Sequence, residues 1–150
     1  MSITDVDAQG EFSAFPGLTR ILTIIRGEGM SLTIDGTEQW LDSYRPLRFD
    51  GSATTSATLP RGPIRNLNLM FRSSRLNGEV ELRNLIGPGQ LTLGQSQLAI
   101  LLQGAAQVTA GHDGHAVLSE FDSVIGNQSA STTVTGSGML AVITLTRIEG

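Results

Sequence analysis

Hydrophobic residues occur in short runs along this chain, and the most continuous run covers residues 21–25. Four of its five positions are Ile or Leu, and the run lies between Arg20 and Gly27. A β-branched run of this length is typical of a strand that is apolar on both faces. Both faces of such a strand must be buried, so the rest of the chain has to pack against it on each side.

A second stretch, residues 65–72, alternates between apolar and mostly polar positions. Side chains two residues apart in a strand point to the same side of the sheet. One side therefore carries Leu67, Leu69 and Phe71, and the other carries Asn66, Asn68, Met70 and Arg72. Two interpretations are open. The polar side faces bulk water, or it lines a cavity with Asn68 and Arg72 directed at a ligand.

Turn signals separate the remaining segments into short strands. Phe15, Pro16 and Gly17 predict a turn, and Asp35-Gly36 is typical of a type I′ hairpin. Residues 37–41, 47–49 and 53–59 are predicted strands. Gly87-Pro88-Gly89 predicts a sharp corner between strands 79–85 and 90–93. No long window shows helical periodicity.

The second half of the chain repeats the organisation of the first at an offset of roughly 75–78 residues. Residues 98–104 resemble 21–27, and Asp113-Gly114 resembles Asp35-Gly36. Gly104 is therefore expected to end a strand, as Gly27 does. Two copies of a six-strand unit predict an all-β bicupin, with two small antiparallel jelly-roll barrels packed together. The first half covers about 1–80 and the second about 81–150, as one domain. The doubly apolar strands would face a barrel interior on one side and the sister barrel on the other.

The composition of the chain argues against several classes of function. The chain has 150 residues, no cysteine and ten arginines without lysine, with a net charge of −4. The absence of cysteine excludes disulfides and cysteine-ligated zinc. The acidic balance, without an Arg cluster in the sequence, argues against nucleic-acid binding. No apolar run reaches membrane-spanning length, and the first ten residues do not have the pattern of a signal peptide. We therefore expect a cytoplasmic protein without nucleic-acid or membrane partners.

Three blocks carry a family resemblance. G-E-F-S-x-F-P-G-x-x-R at residues 10–20, I-L-T-I-I-x-G-x-G-M at 21–30 and N-L-N-L-M-F-R at 66–72 resemble the HutD/Ves family of the cupin superfamily. The resemblance implies a bacterial, cytoplasmic bicupin linked to histidine utilisation or stress responses, with no firmly assigned reaction. Family members usually carry a W-x-N-G-G-G-x-T-x-E motif before these blocks. This sequence begins downstream of it, so a family ligand site that uses the motif is expected to be absent or incomplete.

The sequence gives little support for a metal site or for a nucleophilic active site. A metal-dependent cupin needs an H-x-H pair, a carboxylate and a further histidine that converge on one ion. The only histidines are His112 and His115, which flank a predicted turn. No serine lies in a nucleophile-elbow context, and nothing local orients either histidine as a base. We expect no metal and no cofactor.

A small carboxylate ligand is the remaining chemical hypothesis. Arg20, Arg72 and Asn68 would present forked cations and an amide to it, with Glu11 as a weaker acid/base candidate. The alternative places Arg20 and Arg72 at the barrel mouth, paired with Glu11 or Glu28. The favoured function is a non-enzymatic organic-acid binder or metabolic regulator. A metal-independent cupin enzyme, such as an isomerase, and a protein-interaction module stay open, and unpaired sheet edges predict a homodimer.

Overall fold

The computed structural model describes residues 1–149, in which every regular element is a β-strand and no helix occurs. Short hydrophobic runs between glycine turns favour this outcome over helices. Thirteen strands follow one another: β1 (Ser2–Val6), β2 (Gly10–Phe12), β3 (Thr19–Arg26), β4 (Met30–Ile34), β5 (Thr37–Leu41), β6 (Leu47–Asp50), β7 (Thr55–Thr58), β8 (Ile64–Phe71), β9 (Leu76–Leu93), β10 (Gln97–Ala110), β11 (Gly114–Leu118), β12 (Ser123–Ile125) and β13 (Thr132–Arg147). The all-β prediction is confirmed.

The chain divides into two compact units. The first contains Met1–Asn77 and the residues from Arg147 onward, and the second contains Gly78–Thr146. The sequence predicted two halves that divide near residue 80. The strands of the first unit form two four-stranded sheets, in the orders β1-β8-β3-β6 and β2-β7-β4-β5. All the pairings recorded within these two sheets are antiparallel.

One hydrophobic core joins the two sheets of the first unit. Leu22 and Ile24 from β3 pack with Met30 and Leu32 from β4, and all four side chains are fully buried. Because β3 and β4 belong to different sheets, the unit is a sandwich with its core between two layers. The opposite face of β3 is buried as well, with Ile25 at 0% exposure. The strand over 21–25 is therefore apolar and buried on both faces, as predicted.

Local turn chemistry sets the hairpins of this unit. Asp35 and Gly36 have φ angles of 46° and 82°, the positive values that a type I′ turn requires at both central residues. Gly17 has φ 79°, and the amide of Leu18 donates to the carbonyl of Phe15 over 3.2 Å. Both predicted turns are confirmed.

The second unit uses fewer and longer strands around its own core. Its sheet runs β11-β10-β13-β9, with β12 also paired to β10. Ala99, Leu101, Val134, Leu140 and Val142 are among the buried core residues. The predicted turn at Gly104 is wrong, because β10 continues through it to Ala110. Gly104 instead pairs with Gly138 across β13, next to a register shift between Leu101 and Gln103.

The strand-pairing plan of the first unit recurs in the second. β3 pairs with β6 and β8, and the first part of β10 pairs with β12 and the last part of β13. β4 pairs with β5 and β7, and the later part of β10 pairs with β11 and the first part of β13. Two strands of the first unit thus correspond to one long strand of the second.

A further expectation differs from the structure. The prediction of a sharp corner at Gly87-Pro88-Gly89 is wrong, because β9 runs through these residues. β9 stands at the end of its sheet, and an edge strand tolerates a residue without an N–H donor. The sheet orders described are open rows of strands, so they do not by themselves show the two small jelly-roll barrels that the sequence predicts. Among residues 1–149, no helix has the length and apolar character needed to cross a bilayer.

Candidate functional site

Arg20 occupies the core-facing side of β3. Its Cα pairs with that of Met70 on β8, and the next two positions on the same side of β3, Leu22 and Ile24, pair with Asn68 and Asn66. Directly opposed residues of an antiparallel pair place their side chains on the same face. Since Leu22 and Ile24 belong to the core, the side chains of Arg20, Asn66 and Asn68 share that interior face.

The Arg20 guanidinium is held by two oxygen acceptors. Nη1 donates to the backbone carbonyl of Ser13 over 3.2 Å, and Nη2 donates to Oδ1 of Asn68 over 3.3 Å. Arg20 is 2% exposed and Asn68 7% exposed. Both acceptors are neutral. In the described part of the chain, the recorded ion pairs are Asp5–Arg65 and Glu81–Arg83, and neither includes Arg20.

Three phenylalanine rings surround the guanidinium carbon. The distance from Cζ of Arg20 to the ring centroid is 5.6 Å for Phe12, 5.4 Å for Phe15 and 5.2 Å for Phe49. Phe12 lies on β2, Phe15 begins the Phe-Pro-Gly turn, and Phe49 is the Cα partner of Arg20 on β6. Aromatic faces attract cations, and removal of water strengthens that attraction. The rings therefore stabilise a positive charge for which no ion pair is recorded within residues 1–149.

Burial lowers the pKa of Arg20 below its usual value, because desolvation disfavours the charged form. The guanidinium nevertheless stays charged at physiological pH, since an arginine pKa lies so far above neutrality. A buried cation with neutral partners carries an uncompensated desolvation cost. An anion that reached this position would offset part of that cost.

Two polar atoms at the site have no hydrogen-bond partner. Nε of Arg20 and Oδ1 of Asn66 are buried and unpaired within residues 1–149. Buried polar groups are nearly always paired, so each unpaired atom calls for an explanation. One of these atoms is a donor and the other an acceptor, and both belong to the interior face of the first unit. The arrangement suits a small ligand that accepts at Arg20 and donates at Asn66.

The predicted ligand-binding residues divide into two groups. Arg20 and Asn68 are in direct contact. Arg72 lies past the end of β8, is exposed, and its carbonyl accepts hydrogen bonds from the amides of Arg75 and Leu76. Glu11 is also exposed, on β2. The alternative in which the polar side of β8 faces bulk water is wrong for Asn66 and Asn68, which are 1% and 7% exposed.

The two histidines stay outside any cluster. Both are exposed, and Nδ1 of His115 lies 3.3 Å from Oγ1 of Thr109 across the β10–β11 pair. Among the residues that the structure describes, no three His, Cys, Asp or Glu side chains are grouped closely enough to hold a metal ion. The described site around Arg20 therefore offers guanidinium, amide, carbonyl and aromatic groups, a set suited to binding an organic anion.

The sequence interpretation missed four members of the site. Asn66 was assigned to the polar side of β8 but not to the binding group, and Phe12, Phe15 and Phe49 were not selected at all. Phe12 and Phe15 stand in the G-E-F-S-x-F-P-G block, so their spacing before Arg20 was a usable signal. Phe49 had no such signal, because only strand register brings it opposite Arg20.

Comparison with known proteins identifies the relatives of this chain. A family model described as HutD matches residues 1–143. An uncharacterized 21.2 kDa protein from the hutC 3′ region of Pseudomonas putida is 34% identical over 82 residues, 54% of this chain and 43% of the relative. Protein Ves of Citrobacter koseri is 34% identical over 83 residues, 54% of this chain and 44% of the relative. The matched segment spans less than half of either relative.

Solved structures extend the likeness to nearly the whole chain. HutD from Pseudomonas fluorescens SBW25 has a TM-score of 0.77 at 28% identity, covering 98% of this chain and 78% of that one. A cupin 2 conserved barrel domain protein from Leptotrichia buccalis has a TM-score of 0.61 at 9% identity, covering 96% of this chain and 82% of that one. The second likeness concerns the fold alone, and it shows that the strand arrangement is cupin-like.

Proposed function

The chain belongs to the HutD family, and on that premise we propose that it is a non-enzymatic binder of small organic acids, with Arg20 as the anchor. One observation carries the proposal. The Arg20 guanidinium is buried, its polar partners are the neutral Ser13 carbonyl and Asn68 amide, and its Nε has no acceptor among residues 1–149. A carboxylate supplies the missing acceptor and the missing negative charge together.

Guanidinium geometry suits a carboxylate. Nε and an adjacent Nη form one side of a planar fork, which matches the two oxygens of a carboxylate in a bidentate pair. The phenylalanine rings keep this fork desolvated, and a charge-assisted hydrogen bond is stronger where water is excluded. Ser13 and Asn68 each accept one hydrogen bond, from Nη1 and Nη2 respectively, and so keep the guanidinium in place. Because each Nη carries two N–H groups, a second N–H of an Nη can complete the fork with Nε.

The second unpaired atom defines the other end of the ligand. Asn66 lies two residues before Asn68 on the same face of β8, so roughly 7 Å separates their Cα atoms. Its unpaired Oδ1 is an acceptor and needs an N–H or O–H donor. We therefore propose an elongated acid, with a carboxylate at Arg20 and a donor group near Asn66. Arg72 and Glu11 lie outside this proposed site.

A binding role suits the chemistry better than an enzymatic one. The groups around Arg20 have no general base that is active near neutral pH, since amides, carbonyls and phenylalanine rings do not exchange protons there. Glu11, the acid/base candidate from the sequence, is exposed on β2. A metal-independent isomerase remains the alternative, and it is distinguished by turnover of the bound acid.

The family also suggests the biological setting and the finer fold. One relative is encoded in the hutC 3′ region, and this supports a cytoplasmic role in the regulation of histidine utilisation. The repeated pairing plan and the likeness to a cupin barrel protein support a bicupin, in which each unit is one jelly-roll half. A stress-response role, suggested by the Ves resemblance, is the second setting.

A thermal-shift and calorimetry screen tests the binding proposal. The acids of histidine breakdown, including urocanate and formylglutamate, are compared with their amides or esters at constant ionic strength. We expect one or more acids to raise Tm and the matched neutral derivatives to have no effect. Arg20→Lys should weaken binding by roughly ten- to a hundredfold, because lysine keeps the charge and loses the fork.

Two control variants separate the anchor from general electrostatics. Arg72→Leu and Glu11→Gln alter exposed residues near the ends of β8 and β2, and both should leave binding unchanged. Binding that survives in Arg20→Lys and disappears in Arg72→Leu would contradict the proposed site. Product formation from the bound acid would replace the binder with the enzyme alternative.

A further inference from the structure

The first unit has a second concave surface, which does not include Arg20 and is lined by two other arginines. It has a volume of about 480 Å³ and is lined by Ser74, Arg75, Leu76, Arg147 and Ile148. Two of the five lining residues are arginines, and none is acidic. We call this surface the arginine pocket. All five residues belong to the same compact unit.

Backbone hydrogen bonds bring the two arginines together from distant parts of the sequence. The amides of Arg75 and Leu76 donate to the carbonyl of Arg72 over 2.9 and 3.0 Å, which closes a tight turn after β8. The amide of Ile148 then donates to the carbonyl of Arg75 over 3.0 Å. This bond places the end of β13, with Arg147, beside the turn at the spacing of paired chains, about 5 Å.

A cluster of arginines is unusual in a chain with a net negative charge. The protein has a net charge of −4 and ten arginines as its only basic residues other than histidine. Three of the ten, Arg72, Arg75 and Arg147, lie at this turn or at the strand end beside it, and all three are exposed. The ion pairs recorded within residues 1–149 are Asp5–Arg65 and Glu81–Arg83, and neither includes these arginines. Like charges held close together repel, and a bound anion removes that repulsion.

We propose that the arginine pocket is a second ligand site, which binds the phosphate group of a small organic phosphate. Arginine forks match phosphate oxygens bidentately, and two forks suit a dianion better than a monocarboxylate. The Ser74 hydroxyl supplies a further donor. Leu76 is half-buried and Ile148 is 49% exposed, so the pocket also has an apolar wall for the organic part of the ligand.

The site is independent of the organic-acid site, because it shares no residue with Arg20, Asn66 or Asn68. The two proposals therefore fail separately. Loss of carboxylate binding in an Arg20 variant says nothing about phosphate, and an Arg147 variant should bind organic acids like the wild type.

Titration by calorimetry and by ¹H–¹⁵N NMR tests the arginine pocket. The probes are inorganic phosphate, adenosine monophosphate and acetate, each at the same low ionic strength. We expect adenosine monophosphate to bind most tightly, phosphate more weakly and acetate not measurably, with amide shifts confined to residues 72–76 and 147–149. Equal affinity for phosphate and the ester would identify free phosphate as the source of the oxyanion.

Variants supply the matched controls. Arg75→Leu and Arg147→Leu each remove one exposed arginine and should weaken phosphate binding ~3–5-fold, the value of an exposed ion pair. Arg45→Leu removes the same charge from an exposed position outside the pocket and should change binding by less than twofold. Equal weakening by Arg45→Leu, acetate binding as tight as phosphate, or no binding of either phosphate probe to the wild type would overturn the proposal.

Discussion

The guanidinium of Arg20 on β3 donates a hydrogen bond from Nη2 to Oδ1 of Asn68 on β8, with 3.3 Å between the two atoms. Asn68 is not the directly opposed residue, since its Cα partner is Leu22. The bond therefore runs diagonally across the pair of strands, which long side chains can span. This diagonal contact directs the guanidinium along the interior face toward Asn66.

Asn66 and Asn68 are a matched pair for a stability test. Asn68→Leu removes an acceptor from a buried cation and should lower the free energy of unfolding by about 1–3 kcal/mol. Asn66→Leu removes an Oδ1 that has no partner in the described part of the chain, and it should leave stability within about 1 kcal/mol of the wild type, or raise it. Urea denaturation measures both. Equal losses in the two variants would contradict the assigned contacts.

The phenylalanine rings around Arg20 predict a measurable coupling. A double-mutant cycle of Arg20→Met and Phe49→Leu should give about 0.5–2 kcal/mol of interaction energy, because the ring lies 5.2 Å from Cζ. A second cycle combines Arg20→Met with Val134→Ala, a core residue of the second unit, and should be additive within about 0.5 kcal/mol. Denaturant unfolding of the wild type, the three single variants and the two double variants supplies both values. A first cycle as additive as the second would show that the ring contact contributes nothing.

Elements with a strong local signal could be predicted from the sequence. The apolar run at 21–25 and the Asp35-Gly36 turn need only nearby residues to define them, and both agree with the structure. Gly104 was misassigned because a glycine with positive φ serves equally in a turn and in a bend of a long strand. What decides between them is its cross-strand neighbour Gly138, 34 positions along the chain. The predicted corner at Gly87-Pro88-Gly89 is wrong for a similar reason, because only the sheet order shows that β9 is an edge strand.

In the candidate site, too, features with a local signal could be predicted from the sequence and features set by distant neighbours could not. Alternation along β8 correctly placed Asn66 and Asn68 on one face, but it could not show that both faces of the strand are buried. Arg72 continues that alternation in sequence, yet β8 ends one residue earlier and the chain turns. Phe49 reaches Arg20 through register alone. Contacts that depend on which strands become neighbours are not present in a local pattern.

The exposed pair Asp5–Arg65 predicts a pH effect of known sign. Hydrogen bonds from Nε and Nη2 of Arg65 lower the pKa of Asp5 below its ordinary 3.8. Because the folded pKa is the lower one, the pair contributes stability above pH 3.8 and loses it as pH falls through the folded pKa. NMR titration of the Asp5 carboxyl should give a midpoint below 3.8 that rises in Arg65→Gln. A wild-type midpoint at or above 3.8 would contradict the pairing.

Two exposed sheet edges support the prediction of a homodimer. β5 and β11 each stand at the end of a sheet, and Val117 on β11 is 80% exposed. Unpaired strand edges favour pairing with another chain, and β11 carries no Asp, Glu, Lys or Arg side chain that would oppose it. Light scattering at micromolar concentration should give twice the chain mass, and Val117→Lys should shift it toward the monomer. A monomer mass for the wild type would count against this.

Gly29 and Gly62 offer a test of how closely the first unit is packed. Both have positive φ, 101° and 93°, so alanine is strained at either position. They differ in the space around them. A Cβ at Gly62 meets open space, whereas one at Gly29 would lie 2.7 Å from the carbonyl oxygen of Leu41 and 2.6 Å from the Trp40 ring. Strain alone acts at Gly62, and a steric clash with backbone is added at Gly29.

Gly62→Ala should therefore lower the free energy of unfolding by about 1–2 kcal/mol, the cost of the left-handed conformation. Gly29→Ala should cost about 1–3 kcal/mol more, because the β4–β5 hairpin must shift to admit the methyl group. Urea denaturation gives both values, and Trp40 fluorescence should change more in Gly29→Ala, where the methyl group meets the ring directly, than in Gly62→Ala, which can reach the ring only through Arg61. Equal costs with unchanged fluorescence would mean that the ring and the Leu41 carbonyl move aside freely, and that this edge of the sheet is loosely packed.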